Sequence, residues 1–348
     1  MTDSHPDPAN PKASAVQDDI VILKVKDFII VFTSIVWEAF PFIVLGAVIA
    51  GFLEEFVPQR WVSRVLPRSR FLAILMGGLL GLVFPMCECG IIPVMRRLLR
   101  KGLPLSCCVA YLLAGPIINV VVILSTYAAF SGENILVGTA QKVPQIPGLM
   151  MVGLRVGMGY LVAIGTALVV EWQFRRYGNS LLAPLAMPPS AEKLALAEDA
   201  DEERPGLMRR LANVSETALH DFVDIMVFLI LGALLSASVR MWLSNEYIAE
   251  WSSQWPVLSI LIMMGLAILL CLCSEADAFV AASYLTLQPA AKLAFLVLGP
   301  MMDIKLYIMY TRVFRTRLIW TIFPAVMVQV FVYSVWVYFL WKLYTQSP

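Results

Sequence analysis

Long apolar runs separated by short polar stretches set the pattern of this chain. The runs fall at roughly 27–56, 71–95, 103–130, 147–172, 217–243, 255–287, 289–311 and 317–344. About 20 apolar residues cross the hydrocarbon of a bilayer as a helix. The pattern therefore predicts an all-α polytopic membrane protein. Residues 1–26 form a polar N-terminal tail with no apolar core of a signal peptide, so the spans are expected in the mature protein. A second polar stretch, 173–216, contains PPSAEKLALAEDADEERPG and reads as a cytoplasmic linker between two transmembrane repeats, 27–172 and 217–344.

Four interruptions break the apolar runs: PMCECG at 85–90, AGPIIN at 114–119, CLCSEAD at 271–277 and LGPMMD at 298–303. Proline removes a backbone donor and glycine permits unusual dihedrals. Non-helical backbone at membrane depth survives only inside protein or beside a wet cavity. Pro256–Leu287 has no Lys or Arg and spans 32 residues, about 48 Å as one helix. That exceeds a hydrocarbon core of about 30 Å, so a re-entrant hairpin with its tip near Cys271–Glu275 is expected, and another at Pro85–Gly90.

The interruptions repeat. A shift of 184 positions brings Cys87 onto Cys271, Cys89 onto Cys273, Gly115 onto Gly299, Pro116 onto Pro300 and Asn119 onto Asp303. With a two-residue indel, VLGA at 44–47 meets ILGA at 230–233, and Glu38 meets Asp224. Duplicated transporter folds bind cargo where the repeats meet.

Charge supports the hairpins over full crossings with the N-terminus inside, which would divide the Lys and Arg 15 against nine. With two hairpins and the N-terminus outside, cytoplasmic segments hold 17 Lys and Arg: four in 57–70, four in 96–102, six in the linker and three in 311–317. External segments hold seven. The positive-inside rule favours this arrangement, in which each half crosses an odd number of times and the repeats are inverted.

Composition agrees. Hydrophobic residues make up 59% and charged residues 15% of the chain, outside the range of soluble domains. The net charge of +1 gives no reason to expect a nucleic-acid partner. Only His5 and His220 are present and no Walker phosphate loop occurs, so no cofactor and no enzymatic activity are expected.

The residues that carry chemistry lie at the interruptions. Cys87, Cys89, Cys271 and Cys273 form two CxC pairs at matching repeat positions, a candidate metal-ligand set. Thiolates select soft cations such as Cu(I), Zn(II) and arsenic-like centres. Single cysteines often serve only as small packing residues, the reading for Cys107 and Cys108. Intramembrane ionisable groups are functional candidates. Glu88, Glu275, Asn119 and Asp303 are expected to contact substrate beside Cys87, Cys89 and Cys273, while Glu38 and Asp224 suit coupling. Lys305 and Arg155 are expected in structural ion pairs, and Gly153, Gly157 and Gly165 in close helix packing.

The stretch FPMCECGIIPVMRRLLRKGLPLSCCVAYLLAGPIIN, 84–119, resembles a large family of predicted bacterial permeases that includes exporters of trivalent organoarsenicals. The resemblance rests on Pro85, Cys87, Cys89, Gly90, Pro93, Pro116 and Asn119, with Glu88 standing between the cysteines where relatives commonly have serine. It implies a permease of the bacterial cytoplasmic (inner) membrane, with the CxC cysteines handling metalloid in the arsenical branch. It also implies a possible second small membrane subunit.

The expected function is a secondary transporter exporting a thiophilic metal or metalloid species. Its partners are the lipid bilayer, a small inorganic or organometalloid solute, and either a second subunit or a homo-oligomer. Two alternatives stand beside it: a permease for another small solute with structural cysteines, and a membrane thiol oxidoreductase.

Overall fold

The computed structural model describes residues 11–57, 67, 69–136, 146–181, 207–240, 255–284 and 287–346. Among these it contains twelve α-helices, six on each side of the linker. The first six are α1 (Pro11–Phe56), α2 (Arg70–Val83), α3 (Glu88–Arg100), α4 (Leu105–Ala114), α5 (Val120–Leu136) and α6 (Gly148–Tyr177). The second six are α7 (Leu207–Arg240), α8 (Pro256–Leu270), α9 (Ala276–Ser283), α10 (Pro289–Leu298), α11 (Ile304–Tyr310) and α12 (Thr316–Gln346).

Long and short helices follow the same order in both sets. Among the described residues four helices are long and apolar enough to cross a membrane, and they are the first and last of each set: α1, α6, α7 and α12. The eight between them are shorter pieces, produced by the four interruptions. α1 starts at Pro11, within the stretch that the sequence marks as a polar tail, and Pro41 lies inside it.

The first interruption follows from its residues. Pro85 cannot continue α2, and Cys87, extended at φ −71° and ψ 170°, becomes the N-cap of α3. Pro93 lies inside α3 and has no N–H to offer the Cys89 carbonyl four residues back. At the second tip Cys271 ends α8 in the left-handed conformation, φ 49°, the one positive-φ residue other than glycine among those described. A side chain held there costs on the order of 1–3 kcal/mol and clusters at functional sites.

α1 and α7 pack antiparallel. Glu55 pairs with Arg210, a side chain on Gly51 would meet Val214, and the Phe40 and Phe222 rings meet edge to face. The matched glycines of VLGA and ILGA explain why each long helix comes so close to a broken one. A Cβ on Gly46 would strike the backbone of Gly90 in α3, and one on Gly232 would lie 3.0 Å from Cα of Lys305 in α11.

α4 and α10 are buried at every residue and form the centre of the molecule. The expected close packing at Gly153 and Gly157 is not found. A Cβ at either would meet nothing within 4 Å, while Gly165 does face the Gln329 side chain of α12.

An ion pair and several hydrogen bonds tie the chain together near the helix ends. Arg70, the first residue of α2, and Ser106, in the first turn of α4, bond the same Glu171 carboxylate at 2.7 and 2.9 Å. The start of α2 and the first turn of α4 thus share one partner in α6. Lys101, after α3, donates to the carbonyls of Glu54 and Val57 at 2.9 and 2.7 Å. Burial there lowers its pKa from the usual lysine range. Arg315 likewise donates its backbone N–H to Leu181 at 3.0 Å, joining the edge of the linker to the segment before α12.

Candidate transport site

The first tip meets the second set of helices inside the protein. Cys87, Glu88 and Cys89 are each at most 1% exposed. Glu88 accepts a hydrogen bond at Oε1 from Lys305 Nζ at 3.0 Å, across the two sets of helices. Lys305 is itself fully buried and lies 3.7 Å from Asp303 Oδ2. Cys89 and Cys273 are both within its electrostatic reach. Cys87 interacts with Cys89 and lies near Cys273. Thiols from both tips and a carboxylate–ammonium pair thus belong to one cluster of buried, electrostatically interacting groups.

Asn119 and Asp303, matched in the repeat, perform the same local task. Asn119 Oδ1 accepts the N–H of Val121 at 3.0 Å, and Asp303 Oδ1 accepts that of Leu306 at 2.5 Å. Each satisfies an orphan donor where a helix restarts after Gly-Pro, as N-cap residues do. Asn119 Nδ2 and Asp303 Oδ2 stay free of hydrogen-bond partners. Asn and Asp are preferred N-caps, so this role was open to sequence reasoning, which read both residues only as cargo contacts.

The second tip is held by a cation from the first set of helices. Arg155 in α6 donates to the Ser274 carbonyl at 2.9 Å and to Thr126 Oγ1 at 2.7 Å. It is 1% exposed, with Asp277, Glu275 and Glu88 as its nearest charges. The expected ion pair is therefore a backbone clamp set among carboxylates. Asp277 presses on the second Gly-Pro break, its Oδ2 lying 2.8 Å from where a Cβ on Gly299 would stand.

Glu38 and Asp224, matched by sequence, have different surroundings. Glu38 faces this cluster, near Glu88, Lys305 and Cys273. Asp224 instead accepts from Arg96 at 3.1 Å and Arg312 at 2.9 Å. Beside it the fully buried Asp221 bonds both Arg96 and Arg97, the latter at 2.8 Å. Sequence reasoning missed Asp221 altogether. Its signal was two acids three apart on α7, on one helical face, with an Arg-Arg pair ending an apolar run elsewhere.

Cys271 lies near Ser236, Asp303 and Lys305. Cys107 and Cys108 are buried in α4. Among the described residues no group of three or more His, Cys, Asp and Glu side chains is arranged to hold a metal ion.

Acidic side chains outnumber basic ones around this site. Five carboxylates, Glu38, Glu88, Glu275, Asp277 and Asp303, stand against Lys305 and Arg155. Glu88 Oε2, both Glu275 oxygens and Asp277 Oδ2 are buried without a hydrogen-bond partner. Groups of this kind inside a membrane are costly and mark ion and substrate paths.

The predicted permease family matches residues 24–339. The chain belongs to that family. The permease is 34% identical over 307 residues to the UPF0718 protein YcgR of Bacillus subtilis, covering 86% of this chain and 92% of the relative. It is 32% identical over 290 residues to a Streptococcus mutans protein that carries the provisional name two-component membrane permease complex subunit, covering 83% and 87%. No solved structure matches. The permease is a multi-pass protein of the bacterial cytoplasmic membrane.

Proposed function

We propose that this permease is a secondary transporter that exports a thiophilic metal or metalloid species through a site between the two tips. One observation carries the reading: thiols from both tips lie buried among carboxylates that outnumber the cations present, with carboxylate oxygens left unpartnered. A soft cation satisfies both kinds of group, sulfur by softness and oxygen by charge. Cys87, Cys89 and Cys273 are the thiol contacts, with Cys271 behind them. Glu88, Glu275, Asn119 and Asp303 supply the polar contacts, and Glu38 and Asp224 are the coupling candidates.

The helix order and the antiparallel packing of α1 on α7 support two inverted repeats, because a twofold axis in the membrane plane sets matched spans antiparallel. The Glu171 partner shared by Arg70 and Ser106 supports a re-entrant reading of α2–α3. The two-component name of the Streptococcus mutans relative supports a second membrane subunit as partner.

The test is a deletion strain carrying the parent gene or the Cys87→Ser/Cys89→Ser variant, challenged with Ag(I), Cu, Cd(II), Zn(II), arsenite and non-metal solutes. Resistance to a soft cation by the parent alone is the expected result. Equal protection by both would assign the cysteines to packing and point to a different solute.

A further inference from the structure

Lys305 occupies the position where cationic cargo needs to stand. Its ammonium lies 3.0 Å from Glu88 Oε1 and near Cys89 and Cys273, the groups that a soft cation would use. A cation on Cys87, Cys89 and Glu88 would face this like charge across a fully buried space, where water screens little. No ready-made group of three ligands exists among the described residues, so loading requires a side chain to move. Lys305 has somewhere to go. Asp303 Oδ2, two residues before it, lies 3.7 Å from Nζ and has no hydrogen-bond partner. A lysine ammonium on a flexible four-carbon stem can cross that gap, since its charge is compact and its donors rotate.

Resting on the proposed soft-cation reading, we infer that Lys305 is a displaceable counter-ion that holds Glu88 when the site is empty and shifts to Asp303 when cationic cargo loads. Cargo then replaces one positive charge with another at Glu88, and neither Glu88 nor Asp303 is left without a cation close by at either stage. Release reverses the exchange, as the returning ammonium competes for Glu88 and weakens the hold on cargo. Lys305 thereby sets both the charge class of the cargo and the affinity ceiling that keeps a thiol site from retaining it.

Cd(II) is the probe. The full-length protein is purified in detergent as parent, Cys87→Ser/Cys89→Ser and Lys305→Gln, and Cd(II) affinity is read by chelator competition together with thermal stability. Lys305→Gln is expected to bind Cd(II) at least tenfold more tightly than the parent. Its melting temperature should also gain more from Cd(II), because the metal supplies the missing charge. If this variant folds only when Cd(II) is present, the same conclusion follows. Equal or weaker binding by Lys305→Gln, or failure to fold even with Cd(II), overturns the role of Lys305. A parent that binds Cd(II) no better than the double serine variant overturns the soft-cation reading itself, a result distinguishable from the first.

Discussion

Lys305 of α11 and Glu88 of α3 are 217 positions apart in the chain and 3.0 Å apart in space, and neither reaches the surface. The pair couples the start of one broken helix to the start of another. It ties the first tip to the second set of helices, while Arg155 ties the second tip to the first set. Each tip is thus gripped by a cation from the opposite half of the chain. Relative movement of the two halves has to stretch or exchange these contacts.

Breaking the Glu88–Lys305 pair from one side leaves a buried charge uncompensated. Glu88→Ala is expected to cost about 3–5 kcal/mol of stability. Glu88→Gln/Lys305→Gln, which removes both charges, should recover most of it. Thermal unfolding in detergent across the double-mutant cycle measures the coupling. Additive losses would show that the two side chains act independently.

Asp221 should behave as a structural keystone. Its carboxylate serves Arg96 and Arg97, all three buried. Asp221→Ala is expected to lose about 3–5 kcal/mol, and Asp221→Asn less, because one acceptor oxygen remains. Yield in the membrane fraction and melting temperature in detergent give the readout, and a variant as stable as the parent would contradict the geometry.

The interruptions were legible in the sequence and their partners were not. Gly-Pro at 115–116 and 299–300, and the proline, glycine and charge at the CxC motifs, stand out because lipid penalises each of them locally. The structure breaks its helices at those places. Lys305 invited pairing with Asp303, its neighbour in sequence, yet its shorter contact is to Glu88. That preference comes from the packing of α11 against α3 and leaves no mark in either local stretch. Arg155 has the same history: the sequence shows a costly buried cation, while its carbonyl partner lies 119 positions away. The glycines of VLGA and ILGA registered only as an alignment, whereas their reason is the backbone contact that each permits.

Those two glycines make a sharper prediction than any side chain. Gly46→Ala would drive a methyl group into the Gly90 backbone, and Gly232→Ala would crowd Lys305 Cα. Overpacking of this kind costs about 1–3 kcal/mol. Each change should also reduce resistance in the complementation assay, because it displaces the helix that carries Glu88 or Lys305. Gly153→Ala, with open space around it, serves as the control and should be neutral.

Arg155 offers a direct view of the second tip. Its guanidinium holds the Ser274 carbonyl on one side and Thr126 on the other, so it fixes the turn between Cys273 and Glu275 to α5. Arg155→Ala frees that carbonyl and removes the cation nearest Asp277 and Glu275. The tip should then open more often, since its remaining backbone sits between two helices and includes Cys271 in the left-handed region. In a variant retaining only Cys273 among the six cysteines, maleimide modification should run severalfold faster with alanine at 155 than with arginine. Arg155→Lys should fall between, because a lysine reaches one partner where the guanidinium fork reaches two. An unchanged rate would mean that the tip is held by packing alone and that Arg155 contributes no restraint.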